Sequence, residues 1–268
     1  MDPENLRNAR LDVEAAIEAW TDITSNHLEN LEFVYIKGSA TKFWQSPIDY
    51  VPVLSDIDLH IKTVDDKPLF PSTKEGFLSS LEITALYEKL FKSIRPDYLH
   101  IPRPQIVTME DLDPLWIPAE IDKIKVIYGE VKPGENRDPE DIRDEDYQSL
   151  KELGPVLASL PMMLIDRIGM DYYRVIRSIC WRVSPSPVRL LSQTEDPEYF
   201  WGLNRTQVHR ELENSGYTDT AEYFKEYYLE GWRMFETEFK DNDVMRSVIK
   251  NGFLVLDSVY SHLKASKH

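Results

Sequence analysis

The most informative part of this chain is residues 35–61, YIKGSATKFWQSPIDYVPVLSDIDLHI. The apolar run that enters it stops at Gly38–Ser39, which is typical of a buried strand that ends in a tight turn. At the other end, SDIDLHI alternates polar and apolar residues, as a strand does when one of its faces packs on a core. The sequence therefore predicts two strands separated by a turn and by a spacer that contains Pro47 and Pro52.

Two carboxylates, Asp56 and Asp58, stand two residues apart at the second predicted strand. Because side chains alternate along a strand, both project from one face, while Ile57 and Leu59 face the core. Like charges on one face repel each other unless a cation lies between them, and Mg²⁺ is bound by one or two carboxylates together with substrate phosphates. The pattern predicts a site for Mg²⁺ or Mn²⁺ at Asp56 and Asp58. The alternative is that both are solvated strand residues.

The Gly-Ser turn has the features of a phosphate site. Glycine allows a phosphate to approach the backbone closely. Ser39 offers a hydroxyl, and the neighbouring amides can donate to phosphate oxygens. The turn at Gly38 and Ser39 therefore predicts that a nucleoside triphosphate binds beside the metal, although Ser39 can also serve only as a cap for the turn.

The order of these features resembles that of the DNA polymerase β-like nucleotidyltransferase superfamily. The pattern of that superfamily is an apolar strand, Gly-Ser, a spacer, and Asp-x-Asp inside a second apolar strand. The matching residues here are IKGS, residues 36–39, and SDIDLHI, residues 55–61. The resemblance extends approximately over residues 30–130, and the region that follows is similar to the helical domain of antibiotic nucleotidyltransferases.

The resemblance implies a role for each residue of the pattern. Asp56 and Asp58 would bind the metals, Gly38 and Ser39 would hold the triphosphate, and Lys42 would contact a phosphate. The implied reaction moves a nucleoside monophosphate from a nucleoside triphosphate, with ATP as the expected donor, to a small-molecule or protein acceptor and releases pyrophosphate. Two metal ions would stabilise the attacking and leaving oxygens. Lys42 can also be an ordinary surface charge.

The spacer between the two halves of the pattern is longer than the superfamily usually has. The excess falls within TKFWQSPIDYVPV, residues 41–53. We expect it to loop out near the active site, where it would form a substrate lid or a partner surface.

The third carboxylate of the superfamily lies on a later strand, and here the corresponding strand is PQIVTM, with Gln105 at the expected position. A neutral amide is a poor general base and a poor metal ligand. Asp97, Glu110 and Asp111 are nearby substitutes that fit the strand less well. The alternative hypothesis is therefore a catalytically weak or inactive relative that acts as a nucleotide-binding or protein-interaction regulator.

The pattern of apolar residues predicts an α+β fold in two domains. Residues 1–132 mix helices and strands and form the nucleotidyltransferase-like domain, with a mixed sheet and flanking helices. The charged stretch at residues 133–146 contains Pro and Gly and is predicted to be a linker. Residues 147–268 show helical periodicity, which predicts an all-α domain, a bundle of four or five helices.

Composition narrows the choice of partners and location. The formal net charge is −16, which disfavours binding to a long polynucleotide, since such binding depends on Lys and Arg that neutralise phosphates. A single cysteine excludes a disulfide framework within one chain. The polar N-terminus lacks the features of a secretory signal, and no stretch reaches the ~20 apolar residues of a membrane helix. We therefore expect a cytoplasmic protein whose partners are a nucleoside triphosphate and an acceptor, with no membrane involvement.

Overall fold

The computed structural model describes residues 3–109, 124–131 and 138–265. The chain divides into two compact units. The sheet unit consists of Asp2–Phe43 and Ser55–Asn136, and the helical unit is formed mainly by Trp44–Leu54 and Arg137–His268. The predicted α+β class is confirmed, because a mixed sheet and a set of helices both form.

The sheet unit is built on a four-stranded sheet with the order β3-β2-β1-β4. Strand β1 pairs antiparallel with both β2 and β4, and β2 pairs parallel with β3. Two long helices belong to the same unit. The elements are α1 (Pro3–Asn26), β1 (Leu31–Lys37), β2 (Ile57–Thr63), α2 (Lys74–Ile94), β3 (Pro104–Thr108) and β4 (Lys125–Gly129).

Alternation along β2 fixes which of its faces is buried in the core. Ile57, Leu59 and Ile61 are fully buried, as the sequence predicted for the first two. The opposite parity carries Asp58 and His60, so the polar side chains of β2 share one face of the sheet.

A buried carboxylate in α1 holds the loop that leads into β3. Asp12 is fully buried and accepts hydrogen bonds from the backbone amides of Leu99 and His100, both at 2.9 Å. It also pairs with the guanidinium of Arg95, with Nε 3.2 Å from Oδ1, and lies 3.1 Å from Nδ1 of His100. This network fixes the start of β3, which carries Gln105.

The described part of the helical unit contains eight helices, more than the four or five that the sequence predicted. Three of these helices begin at a proline, Pro139, Pro185 and Pro197, a residue that suits the first helical position but can also end a helix, so the pattern alone does not predict these starts. The helices are α3 (Pro139–Lys151), α4 (Leu153–Leu164), α5 (Asp171–Val183), α6 (Pro185–Ser192), α7 (Pro197–Gly202), α8 (Arg205–Asn214), α9 (Thr218–Glu236) and α10 (Asn242–Ala265).

The second half of the stretch predicted to be a linker, residues 133–146, is helical. Helix α3 begins at Pro139, and Asp138 caps it by accepting a hydrogen bond from the amide of Glu140 at 3.0 Å. High charge had suggested a linker, but these charges lie mostly on the exposed face of a helix. Residues 132–137 lie outside the described part of the chain.

The long spacer does not form a lid, because residues 44–54 belong to the core of the helical unit. Tyr50 and Val51 are fully buried. The indole Nε1 of Trp232 donates to the carbonyl oxygens of Pro47 and Tyr50 at 2.8 and 3.1 Å. Arg205 donates to the carbonyl oxygens of residues 48 and 49. The predicted substrate lid is wrong for residues 48–52, which are buried, and the alternative of a partner surface stays a prediction.

Asp49 is the polar centre of this segment. Its carboxylate is 2 % exposed and accepts from the amides of Gln45 and Ser46 at 2.6 and 3.0 Å. The same carboxylate accepts from the amide and the hydroxyl of Thr206, both at 2.8 Å, at the start of α8. One buried side chain therefore satisfies four donors.

None of the helices in the described ranges has both the length and the apolar character that crossing a bilayer requires.

We expect Asp49→Ala to destabilise the helical unit by about 3 kcal/mol, since several buried donors lose their acceptor and each costs about 1–3 kcal/mol when unsatisfied. Urea denaturation followed by tryptophan fluorescence measures the change. Glu222→Ala, on an exposed position of α9, is the matched control and should stay within about 0.5 kcal/mol of the wild type. Equal effects of the two substitutions would contradict the role of Asp49.

Candidate functional site

Three polar residues lie side by side across the sheet. Lys37 at the end of β1 is the register partner of Asp58 on β2, and Asp58 is the register partner of Gln105 on β3. Residues that are partners in register project from the same face of a sheet. Asp58 therefore lies between a cation and a neutral amide, with Gln105 beside it on the neighbouring strand.

Gly38 brings the backbone of the turn against the Asp58 carboxylate. The residue has φ +80°, and a Cβ placed on it would lie 2.3 Å from Oδ2 of Asp58. Glycine is favoured here, because its φ lies in the left-handed region and a Cβ would displace the Asp58 carboxylate. The Asp58 carboxylate therefore faces the glycine turn.

A short 3₁₀ turn, Gly38–Ala40, follows β1, and α1 fixes it from the side. The carbonyl oxygen of Gly38 accepts from the amides of Thr41 and Lys42 at 3.2 and 3.3 Å. The guanidinium of Arg10 donates to the carbonyl oxygens of Ala40 and Lys42 at 3.3 and 3.2 Å. These bonds hold the carbonyls that follow the turn in place and so fix the backbone around Ser39.

Ser39 and Lys42 lie within and just after the turn that follows β1. Both are half-buried, Ser39 within the turn and Lys42 two residues beyond its end. Their proposed contacts with phosphate stay a prediction.

Asp56 differs from Asp58 in its environment. It lies one residue before β2, and its Oδ2 forms an ion pair with Nη2 of Arg103. The same nitrogen of Arg103 lies 3.3 Å from the amide oxygen of Gln105. A guanidinium therefore bridges the first aspartate of the Asp-x-Asp pair and the residue that the resemblance aligns with the third carboxylate.

Sequence reasoning missed Arg103. A signal was present, since Arg103 stands two residues before Gln105 and so shares its parity along the chain. Arg103 also precedes a proline and lies just outside the strand, where alternation alone does not fix the direction of a side chain.

Burial sets the electrostatics of the face that carries Asp58. It lowers the pKa of Lys37 to about 8, with Asp58 opposing that change and Lys42 adding to it. Burial and the charge of Lys37 also lower the pKa of His60 to about 3, so its imidazole is neutral at physiological pH. The ring of His60 stacks on the ring of Tyr35, with 4.9 Å between the ring centroids, and His60 is only 3 % exposed. His60 is therefore a packing residue of the sheet.

The Mg²⁺ or Mn²⁺ site at Asp56 and Asp58 stays a prediction. Asp56 and Asp58 supply hard carboxylate oxygens, and phosphate oxygens of a nucleotide would complete the coordination shell. Within the described residues no group of three or more His, Cys, Asp and Glu side chains is positioned to hold a metal. Asp97 lies exposed in the turn before β3, and Glu110 and Asp111 lie outside the described residues.

No family model, no curated protein and no solved structure matches this chain.

We expect Gly38→Ala to be more destabilising than Gly216→Ala by about 1–3 kcal/mol, the usual cost of forcing an extra group into a filled site. Gly216 is the matched control, because its φ is +81° but a Cβ there meets nothing within 4 Å. Both variants carry the same backbone penalty of about 1–2 kcal/mol. Thermal or urea unfolding measures the difference, and equal destabilisation would contradict the close approach of Asp58 to Gly38.

Proposed function

We propose that this chain is a metal-dependent nucleotidyltransferase that moves a nucleoside monophosphate from a nucleoside triphosphate to a small-molecule or protein acceptor. The observation that supports this most strongly is the Asp58 carboxylate lying against the glycine turn at Gly38. A carboxylate that holds a cation and a backbone turn that admits phosphate are then adjacent. This is the juxtaposition that transfer at an α-phosphate requires.

The residues of the turn would bind the triphosphate. Backbone amides around Gly38 and the Ser39 hydroxyl are hydrogen-bond donors for phosphate oxygens. Lys42 and Lys37 add positive charge on either side of the turn, which favours a polyanion. Because Arg10 already fixes the carbonyls of Ala40 and Lys42, little backbone ordering is left for nucleotide binding.

Asp56 and Asp58 would hold a divalent ion, which supplies charge neutralisation at the phosphates when it is bound. In the proposed reaction an acceptor oxygen forms a bond to the α-phosphorus, and the bond from that phosphorus to the bridging oxygen breaks. Pyrophosphate leaves with the bonding electrons, and the acceptor proton passes to solvent. Positioning and charge neutralisation would provide most of the rate enhancement.

The second candidate function is nucleotide binding without efficient transfer, as part of a regulator. Two observations favour it: Gln105, an amide that cannot act as a base, is the register partner of Asp58, and Arg103 pairs with Asp56. A site of this kind would keep the phosphate-binding turn and lose the acidic residue that assists the acceptor.

Asp58→Asn should weaken Mg²⁺-dependent binding of ATP by about tenfold to a hundredfold, since losing a charged interaction costs about 1.5–3 kcal/mol. Isothermal titration with a nonhydrolysable ATP analogue and Mg²⁺ measures the affinity. Asp65→Asn is the matched control, because this exposed aspartate lies just beyond β2 with φ +59°, a conformation that asparagine tolerates. If neither the wild type nor the control binds any of the four nucleoside triphosphates, both candidate functions are wrong.

Gln105→Asp distinguishes the two candidates by restoring a carboxylate beside Asp58. If the chain is a weak transferase, pyrophosphate release with a panel of hydroxyl acceptors should rise by about 10²-fold, the lower end of the contribution of general acid-base catalysis. Gln105→Asn is the control, because it shortens the side chain without adding charge. Binding of nucleotide with no release by the wild type or by Gln105→Asp would favour the regulator.

A further inference from the structure

The two aspartates of the candidate site already face cations that belong to the chain. Asp56 pairs with Arg103, and Asp58 is the cross-strand partner of Lys37. Two negative charges therefore stand beside two basic side chains in the nucleotide-free protein. The repulsion that predicted a metal between the aspartates is relieved before any metal is bound.

Arg103 is held where it is by the fold. Its carbonyl oxygen accepts from the amide of Ile57 at 3.0 Å, which joins the start of β3 to the start of β2 next to Asp56. Its Nη2 reaches both Asp56 and Gln105, and the side chains of Arg103 and Asp56 are 37 % and 18 % exposed. An ion pair in this half-buried position is stronger than a surface pair, because solvent screens it less.

Gln105 suits a guanidinium better than it suits a metal. Its amide oxygen accepts from Arg103, and as a neutral group it adds no negative charge with which to attract a divalent ion. An aspartate at this position would instead give the site the third carboxylate that the metal needs. With Gln105 at this position, Asp56 is better matched to the guanidinium of Arg103 than to a divalent metal ion.

We propose that Arg103 competes with the divalent metal for Asp56, so that metal binds this site weakly until a nucleotide arrives. The inference rests on the proposed function, since the nucleotide is what changes the balance. Triphosphate oxygens add ligands to the metal and give the guanidinium an alternative partner of matching geometry. Arg103 would thus couple metal binding at Asp56 to nucleotide binding.

The test measures Mn²⁺ binding to the nucleotide-free protein by the loss of the electron paramagnetic resonance signal of free Mn²⁺. Arg103→Met should raise the affinity for Mn²⁺ by about tenfold or more, the size of effect that groups neighbouring a metal ligand commonly have. Arg7→Met is the matched control, because it removes an exposed arginine from α1 of the same unit and changes the net charge equally. Arg103→Gln is a second variant that keeps a polar side chain of similar length.

Adding Asp56→Asn to Arg103→Met should abolish the gain, which places the bound Mn²⁺ at Asp56. The inference is overturned if the Arg103 variants bind Mn²⁺ no better than Arg7→Met. It is also overturned if the nucleotide-free wild type is saturated by equimolar Mn²⁺, a measurement that needs no variant. The proposed function fails by a separate result, which is that no nucleoside triphosphate binds. The competition between Arg103 and Mn²⁺ for Asp56 can still be measured in that case.

Discussion

The antiparallel pairing of β1 with β2 is the interaction on which the candidate site depends. It sets Lys37 opposite Asp58 and brings the turn that begins at Gly38 against the Asp58 carboxylate. A shift of one residue in this register would move every side chain of β2 to the other face of the sheet. Ile57, Leu59 and Ile61 would then leave the core, so burial of these residues enforces the same register that the polar face requires.

The parallel pairing of β2 with β3 adds the feature that distinguishes this site from a simple acidic metal site. It places Gln105 beside Asp58 and positions Arg103 to pair with Asp56. The loop before β3 is in turn fixed by the buried Asp12 of α1. The balance of charge at the aspartates is therefore set by elements that are far apart in the sequence, and the proposed metal would have to alter an existing ion pair at Asp56.

The helical unit shows how a segment that interrupts one unit can become part of the core of another. Residues 44–54 contribute buried side chains and backbone carbonyls to contacts with Trp232, Arg205 and Thr206. Asp49 satisfies several donors at once, which is what allows a buried stretch with little regular structure to be stable. Such a segment behaves as a structural element of its unit and cannot be treated as a mobile loop.

The sequence alone determined the features that depend on local pattern. Alternation over residues 55–61 placed Asp58 and Ile57 on opposite faces. The tight turn after β1 was likewise predictable from Gly38, because glycine adopts positive φ readily. In the C-terminal half, helical periodicity predicted the helices that form over the described residues 138–265.

Tertiary structure alone decided which partners these elements acquire. The spacer at residues 44–54 carried no periodic pattern, and only its contacts with helices some 150 or more positions later in the chain reveal that it is core. The ion pair between Arg103 and Asp56 likewise joins residues 47 positions apart. A local pattern predicts which residues share a face of a strand or helix, because side-chain direction follows from backbone geometry. The charged residues that pack against that face come from other elements. Strand order and loop packing decide which ones they are, and no local pattern encodes these.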